Sequence, residues 1–156
     1  MNRYEKLLDE ASKNDIFVME NMDFESNAEA LINGNVIGIN KKVRTTVKRK
    51  CFLAEELGHH YTTAGNILDQ SNTANRKQER RARYWAFKKL VSLFDIIRAY
   101  HHGCRNSYEM AEYLEVTEEF LKEALDVYRL KYGTGVRYDE YMISFEPYLM
   151  VYKFQK

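Results

Sequence analysis

The chain has 156 residues, enough for one domain with a sizeable core, and 45% of them are hydrophobic, which excludes a disordered chain. Its formal net charge of +1 gives no overall field that would mark a nucleic-acid or membrane binder. The two cysteines have no metal-like spacing and indicate a reduced, cytosolic protein. We expect no signal peptide, and no apolar run approaches the roughly 18 residues of a bilayer span.

The first half of the chain predicts alternating short helices and strands. Asn33-Gly34 separates two apolar runs and supplies the positive φ that a tight hairpin turn needs. Thr45 or Thr46 can cap the helix that follows. In chain order the patterns predict a helix over 3–12, a strand over 16–19, a hairpin over 30–39 and a helix from 45 or 46 to about 63.

The second half predicts a mainly helical region with a β tail. Ser107 and Thr117 can cap two consecutive helices in a helix-turn-helix rhythm, and Gly103 is a natural stop for the helix before them. The predicted elements are a loop over 64–75, helices over 76–91, 93–102, 107–114 and 117–132, and two short strands within 137–154 around Pro147.

The most informative segment is Leu53-Ala54-Glu55-Glu56-Leu57-Gly58-His59-His60. In the H-E-x-x-H motif two histidines at i and i+4 bind zinc, and the intervening glutamate is the general base. Here Glu55 and His59 hold the ligand positions and Glu56 holds the base position. A shifted register, in which Glu56 and His60 are the ligands, is the other geometric option.

A third metal ligand must come from outside this helix, because catalytic zinc keeps three protein ligands and one open position. Glu79 is the best candidate, since it lies on one helical face with Ala82 and Ala86. Small residues on that face allow a second helix to approach closely, and Ala54 and Gly58 offer a matching small face.

These two helices resemble the ImmA/IrrE family of metallopeptidases, which pairs an A-H-E-x-G-H helix with an E-x-x-A-x-x-F-A helix. The resemblance covers roughly residues 28–130, and the region 107–133 is similar to the phage and mobile-element branch. It implies a zinc-dependent endopeptidase that cleaves a helix-turn-helix repressor in the bacterial cytosol. Carried over by position, it implies Glu55, His59 and Glu79 as metal ligands and Glu56 as the catalytic base.

Glu55 departs from the family pattern, which has histidine there. A carboxylate also binds zinc, but a set of two carboxylates and one imidazole tolerates Mn²⁺ or Fe²⁺ better than a two-histidine set would. The extra negative charge lowers the Lewis acidity of the ion, so we expect slow activity or dependence on an activating partner.

The expected fold is α+β: a mostly helical, zincin-like domain with a small antiparallel β-sheet and a C-terminal helix-turn-helix-like region. We expect a single metallopeptidase-like domain over 1–156, with the metal-site core in 1–92 and the helical region and β tail in 93–156. The strand over 36–39 is expected to be an edge that could present a substrate. Oligomeric state stays open.

Three other interpretations compete with the peptidase. The acidic and histidine side chains could form an ordinary solvated helix face, or the chain could bind a repressor or antitoxin without cutting it. A DNA-binding regulator is the weakest, because the helix that would read DNA begins Thr117-Glu118-Glu119 and would repel phosphate.

His101 and His102 end a helix, where histidines more often complement the helix dipole than bind metal.

Overall fold

The computed structural model describes residues 2–63 and 72–154, with the side chains of 72–74 excepted. The described residues form six helices and six strands. In chain order they are α1 (Arg3–Lys13), β1 (Phe17–Met22), β2 (Ala30–Asn33), β3 (Val36–Asn40), α2 (Thr46–Thr62), α3 (Asn72–Leu90), α4 (Leu93–His102), α5 (Ser107–Leu114), α6 (Glu118–Tyr132), β4 (Gly135–Tyr138), β5 (Tyr141–Ser144) and β6 (Met150–Lys153). This confirms the α+β class.

The chain divides into two compact units, residues 1–86 and 87–156. In the first, β1, β3 and β2 form a sheet in that order, and α1 and α2 pack together beside it. Its core is built from buried side chains of the two helices and the central strand: Leu7, Ala11, Ile37, Ile39, Leu53 and Leu57. Whether the whole chain is one domain stays a prediction.

The first sheet contains the predicted hairpin but differs from expectation in two ways, in the direction of β1 and in the position of β3. The Asn33-Gly34 hairpin is confirmed, since β2 and β3 pair antiparallel and Gly34 has a φ of 62°. However, β1 pairs with β3 in parallel, so the sheet is mixed. The expectation that residues 36–39 form an open edge was wrong, because β3 is the central strand and its backbone is paired on both sides.

The second unit contains an antiparallel sheet in the order β4-β5-β6 and the helices α4, α5 and α6. The tail therefore holds three strands where two were predicted, and the Glu146–Pro147 bond, which is cis, lies between β5 and β6. Tyr128 of α6 is buried, and its hydroxyl donates to the carbonyl of Val91 at 2.6 Å.

The helix boundaries follow local capping chemistry. Thr45 accepts a hydrogen bond from the Lys48 amide, and Thr117 accepts one from the Phe120 amide, as predicted for α2 and α6. Asn106, and not Ser107, caps α5. The α3 helix begins at Asn72, four residues before the predicted start, and the rest of the predicted 64–75 loop lies outside the described residues.

No helix in the described ranges combines the length and the apolar character needed to cross a bilayer.

Candidate metal centre

The candidate site lies where α2 crosses residues 79–86 of α3. A Cβ atom added to Gly58 would stand 2.2 Å from the carbonyl oxygen of Ala82, a distance no side chain can tolerate. Ala54, Ala82 and Ala86 are all completely buried. The small faces predicted on the two helices therefore meet, and glycine at 58 is needed for the backbone-to-backbone approach.

This crossing brings together two of the predicted metal ligands. The His59 Nε2 atom lies 3.1 Å from the Glu79 Oε2 atom, although 20 residues separate them in sequence. The other carboxylate oxygen of Glu79 accepts from the Nε of Arg83, one turn further along α3, at 3.2 Å. Both partners of the His59–Glu79 contact are partly exposed, so the pair is reachable from solvent.

Glu56, the predicted base, lies beside this pair in a less solvated position. Burial, and after it the negative charges of Glu55 and Glu79, together raise its pKa from the ordinary value near 4.5 to about 7. A general base is most effective when its pKa is close to the working pH, so Glu56 has the acidity that proton transfer near neutrality requires.

Glu55 stands next to Glu56 on α2, is partly buried and takes part in polar or electrostatic contacts of its own. Its charge reaches Glu56, as the raised pKa shows. Nevertheless, residues 2–63 and 72–154 contain no cluster of at least three histidine, cysteine or acidic side chains that could bind a metal ion together. The donor types fit a divalent cation, and His59 and Glu79 supply two converging donors; Glu55 as the third stays a prediction.

The neighbouring histidine, His60, has different surroundings. Its ring meets the ring of Tyr61 edge-on at 5.2 Å, and Tyr61 in turn lies 5.2 Å from Trp85 of α3. The carboxylate of Glu79 contacts His59. This arrangement favours the Glu55/His59 register over the shifted Glu56/His60 register. The Tyr61–Trp85 contact was not anticipated, although Trp85 occupies the aromatic position of the second helical motif.

His101 and His102 belong to the second unit and have partners there. A ring nitrogen of His101 lies 2.7 Å from the hydroxyl of Tyr141, and the ring of His102 stacks on Tyr113 with centroids 4.2 Å apart. Both also stand in the last turn of α4, next to the Gly103 cap.

The crossed helices, the His59–Glu79 contact and the neighbouring Glu56 form the arrangement expected of a metallopeptidase-like class of protein. A family model described as the IrrE N-terminal-like domain, a peptidase family, matches residues 10–126, well over half of the chain. The chain therefore belongs to this ImmA/IrrE-type peptidase family. Comparisons with curated proteins and with solved structures gave no significant match.

The raised pKa of Glu56 predicts that the metal-free protein is less stable at pH 8 than at pH 5. The folded state binds this proton more tightly than the unfolded chain, so its stabilising contribution is complete below about pH 4.5 and is lost as the pH rises through about 7. Because the side chain is only partly buried, we expect a loss on the order of 1 kcal/mol.

Urea unfolding at the two pH values, with chelator present, measures this difference. The Glu56→Gln protein should lose little stability between pH 5 and pH 8. The control Glu112→Gln, at an exposed position on α5, should lose as much stability as the natural chain. A Glu56→Gln protein with the same pH dependence as the natural chain would contradict the assignment.

Proposed function

We propose that this chain is a metal-dependent endopeptidase, with zinc as the first candidate ion and Mn²⁺ or Fe²⁺ as alternatives. The observation that carries the proposal is the 3.1 Å contact between His59 and Glu79, which brings the two helical motifs of the family to one point. Glu55 would complete the ligand set from one turn before His59. A bound divalent cation would polarise the scissile carbonyl and acidify the attacking water.

The part of Glu56 in this reaction is proton transfer. Its carboxylate would accept a proton from the attacking water and return one to the leaving amine. The partly exposed His59 and Glu79 side chains leave the site open to a polypeptide substrate.

We propose a helix-turn-helix repressor of a phage or mobile element as the substrate, which places the reaction in the cytosol of a bacterial host. Family membership and the helix-turn-helix-like order of α5 and α6 support this choice. Incubating the purified chain with a candidate helix-turn-helix repressor, with Zn²⁺, Mn²⁺ or chelator, tests it. Mass spectrometry should find defined fragments only where metal is present.

A second candidate function is a peptidase-fold protein that binds the repressor, or an antitoxin, without cutting it. Two observations favour it: Glu55 replaces the usual histidine, and the described residues contain no group of three metal donors. Stable binding to the repressor with no fragments under any metal condition would support this function and would rule out the peptidase.

The ligand role of Glu55 predicts opposite effects of two substitutions. Glu55→His completes the two-histidine helix and should tighten zinc binding on the order of tenfold, equivalent to about 1.4 kcal/mol, because imidazole suits zinc better than a second carboxylate. Glu55→Gln removes the same negative charge without adding a strong ligand and should weaken binding.

Competition with a chromophoric chelator gives the zinc affinity of all three proteins. If Glu55→Gln binds zinc as tightly as the natural chain, Glu55 is not a ligand. Equal tightening by histidine and glutamine would assign the effect to charge alone.

A further inference from the structure

The second unit contains a groove of about 830 Å³ whose lining includes no residue of the candidate metal centre. It is bounded by the end of α4, by α5 and α6, and by the segment that contains β6. Its lining is mainly apolar and aromatic. The apolar part comes from Tyr100, Met110, Leu125, Phe145 and the run 147–152.

The charged groups that line this groove all have one sign. They are Arg105 and Arg129, and no acidic side chain is among the described lining residues. Arg105 reaches Glu109 through one terminal nitrogen at 3.3 Å, and Arg129 reaches Asp126 through one at 3.0 Å. Each guanidinium carries five N–H donors, so each keeps donors for a further carboxylate.

Among the described residues, no strand pairs with the outer edge of β6, the strand beside the groove. β6 is the last strand of its sheet, and the amide of Phe154 donates to the carbonyl of Glu140 at 2.8 Å. In an antiparallel ladder this fixes the alternation, so the backbone groups of Val151 and Lys153 point away from β5. Met150 and Tyr152 are each 45% exposed, which leaves apolar side chains along the same edge.

We propose that β6 and this groove bind an extended, acidic–apolar peptide segment of a partner protein by strand addition. The partner's backbone pairs with Val151 and Lys153, its apolar side chains contact the aromatic lining, and a carboxylate is bound by Arg105 and Arg129. Backbone pairing gives affinity and the two arginines select for the acid, as in other edge-strand recognition. The proposal is independent of metal binding and of peptidase activity.

Fluorescent peptides of about six residues, the usual length of a strand, test this with the full-length protein. In one set of peptides, valine or tyrosine alternates with aspartate or glutamate. In the matched set, lysine replaces each acidic residue. Anisotropy should show binding of acidic peptides only. Hydrogen exchange should show new protection of the Val151 and Lys153 amides when the best acidic peptide is bound.

Two variants separate the parts of the interaction. Arg105→Glu reverses an exposed groove charge and should weaken acidic peptides by about tenfold or more, whereas Arg80→Glu, exposed on α3 in the other unit, should not. Lys153→Pro removes one outward amide without breaking the β5 ladder and should weaken both protection and binding.

Equal affinity for lysine and acidic peptides, or undiminished binding to Arg105→Glu, would overturn the proposal. Binding of acidic peptides without hydrogen-exchange protection of the β6 amides would also overturn it, because the groove would then bind a compact anion and not a strand. Self-association of the natural chain that is blocked by Lys153→Pro would overturn it by assigning the edge to a second copy.

Discussion

Replacing Glu56 with glutamine is expected to lower the rate of metal-dependent peptide cleavage by about 100-fold to 10,000-fold, the usual contribution of a positioned general base. Glutamine keeps the size and one oxygen of the side chain but cannot accept the proton of the attacking water. The contact between His59 and Glu79 does not involve Glu56, so metal affinity should change little. Cleavage of the proposed repressor substrate is followed by mass spectrometry and metal affinity by chelator competition.

Loss of fold cannot explain a rate decrease in this variant. Burial and the charges of Glu55 and Glu79 oppose ionisation of Glu56, so the neutral amide should stabilise the protein above pH 7. The expected result is thus a more stable and much slower enzyme. A Glu56→Gln protein that cleaves at the natural rate would show that Glu56 is not the general base and that another group accepts the proton.

Replacing Gly58 with alanine is expected to destabilise the first unit by about 2–3 kcal/mol, because extra atoms forced into a closely packed interior cost that much. In an exposed helix the same substitution would stabilise by about 1 kcal/mol. Here the new Cβ atom would meet backbone atoms of Ala82 at 2.2–3.1 Å, so the two helices must move apart. Thermal unfolding followed by circular dichroism measures the change.

Gly38 provides the matched control for this experiment. A Cβ atom there would meet flexible side-chain atoms of Met22 and Phe24 at 3.2–3.3 Å, which can move by a few tenths of an ångström. Gly38→Ala should therefore cost much less than Gly58→Ala. The Gly58 variant should also lose metal affinity, since separating the helices separates His59 from Glu79; equal stability of the two variants would contradict the close-packing argument.

Much of the site was predictable because its signals are local or periodic. The Thr45 cap acts within one turn, and the spacing of Glu55, Glu56 and His59 follows from the helical repeat. Small residues at 54, 58, 82 and 86 predicted a close crossing, since only backbone without bulky side chains can approach so closely. These patterns need no knowledge of distant residues, and the family match to residues 10–126 agrees with them.

Other features depended on pairings that no local pattern encodes. The sequence showed two strands and a turn at 30–39, but the placement of β1 in parallel beside β3 closed the edge that was expected to be open. The contact of Glu79 with Arg83 and the Tyr61–Trp85 contact arise from side-chain directions at the crossing. The groove beside β6 exists only because segments up to 52 residues apart, Tyr100 to Tyr152, line one space.

By itself, the sequence determined the helices, the Thr45 and Thr117 caps, the order of the acidic and histidine positions and the membership of a peptidase family, since these depend on residue spacing along the chain. Only the tertiary structure decided which donors meet, how strongly Glu56 resists ionisation and which strand edge stays open. The physical reason is that distance, desolvation and backbone pairing are properties of neighbours in space, and those neighbours come from separate parts of the chain.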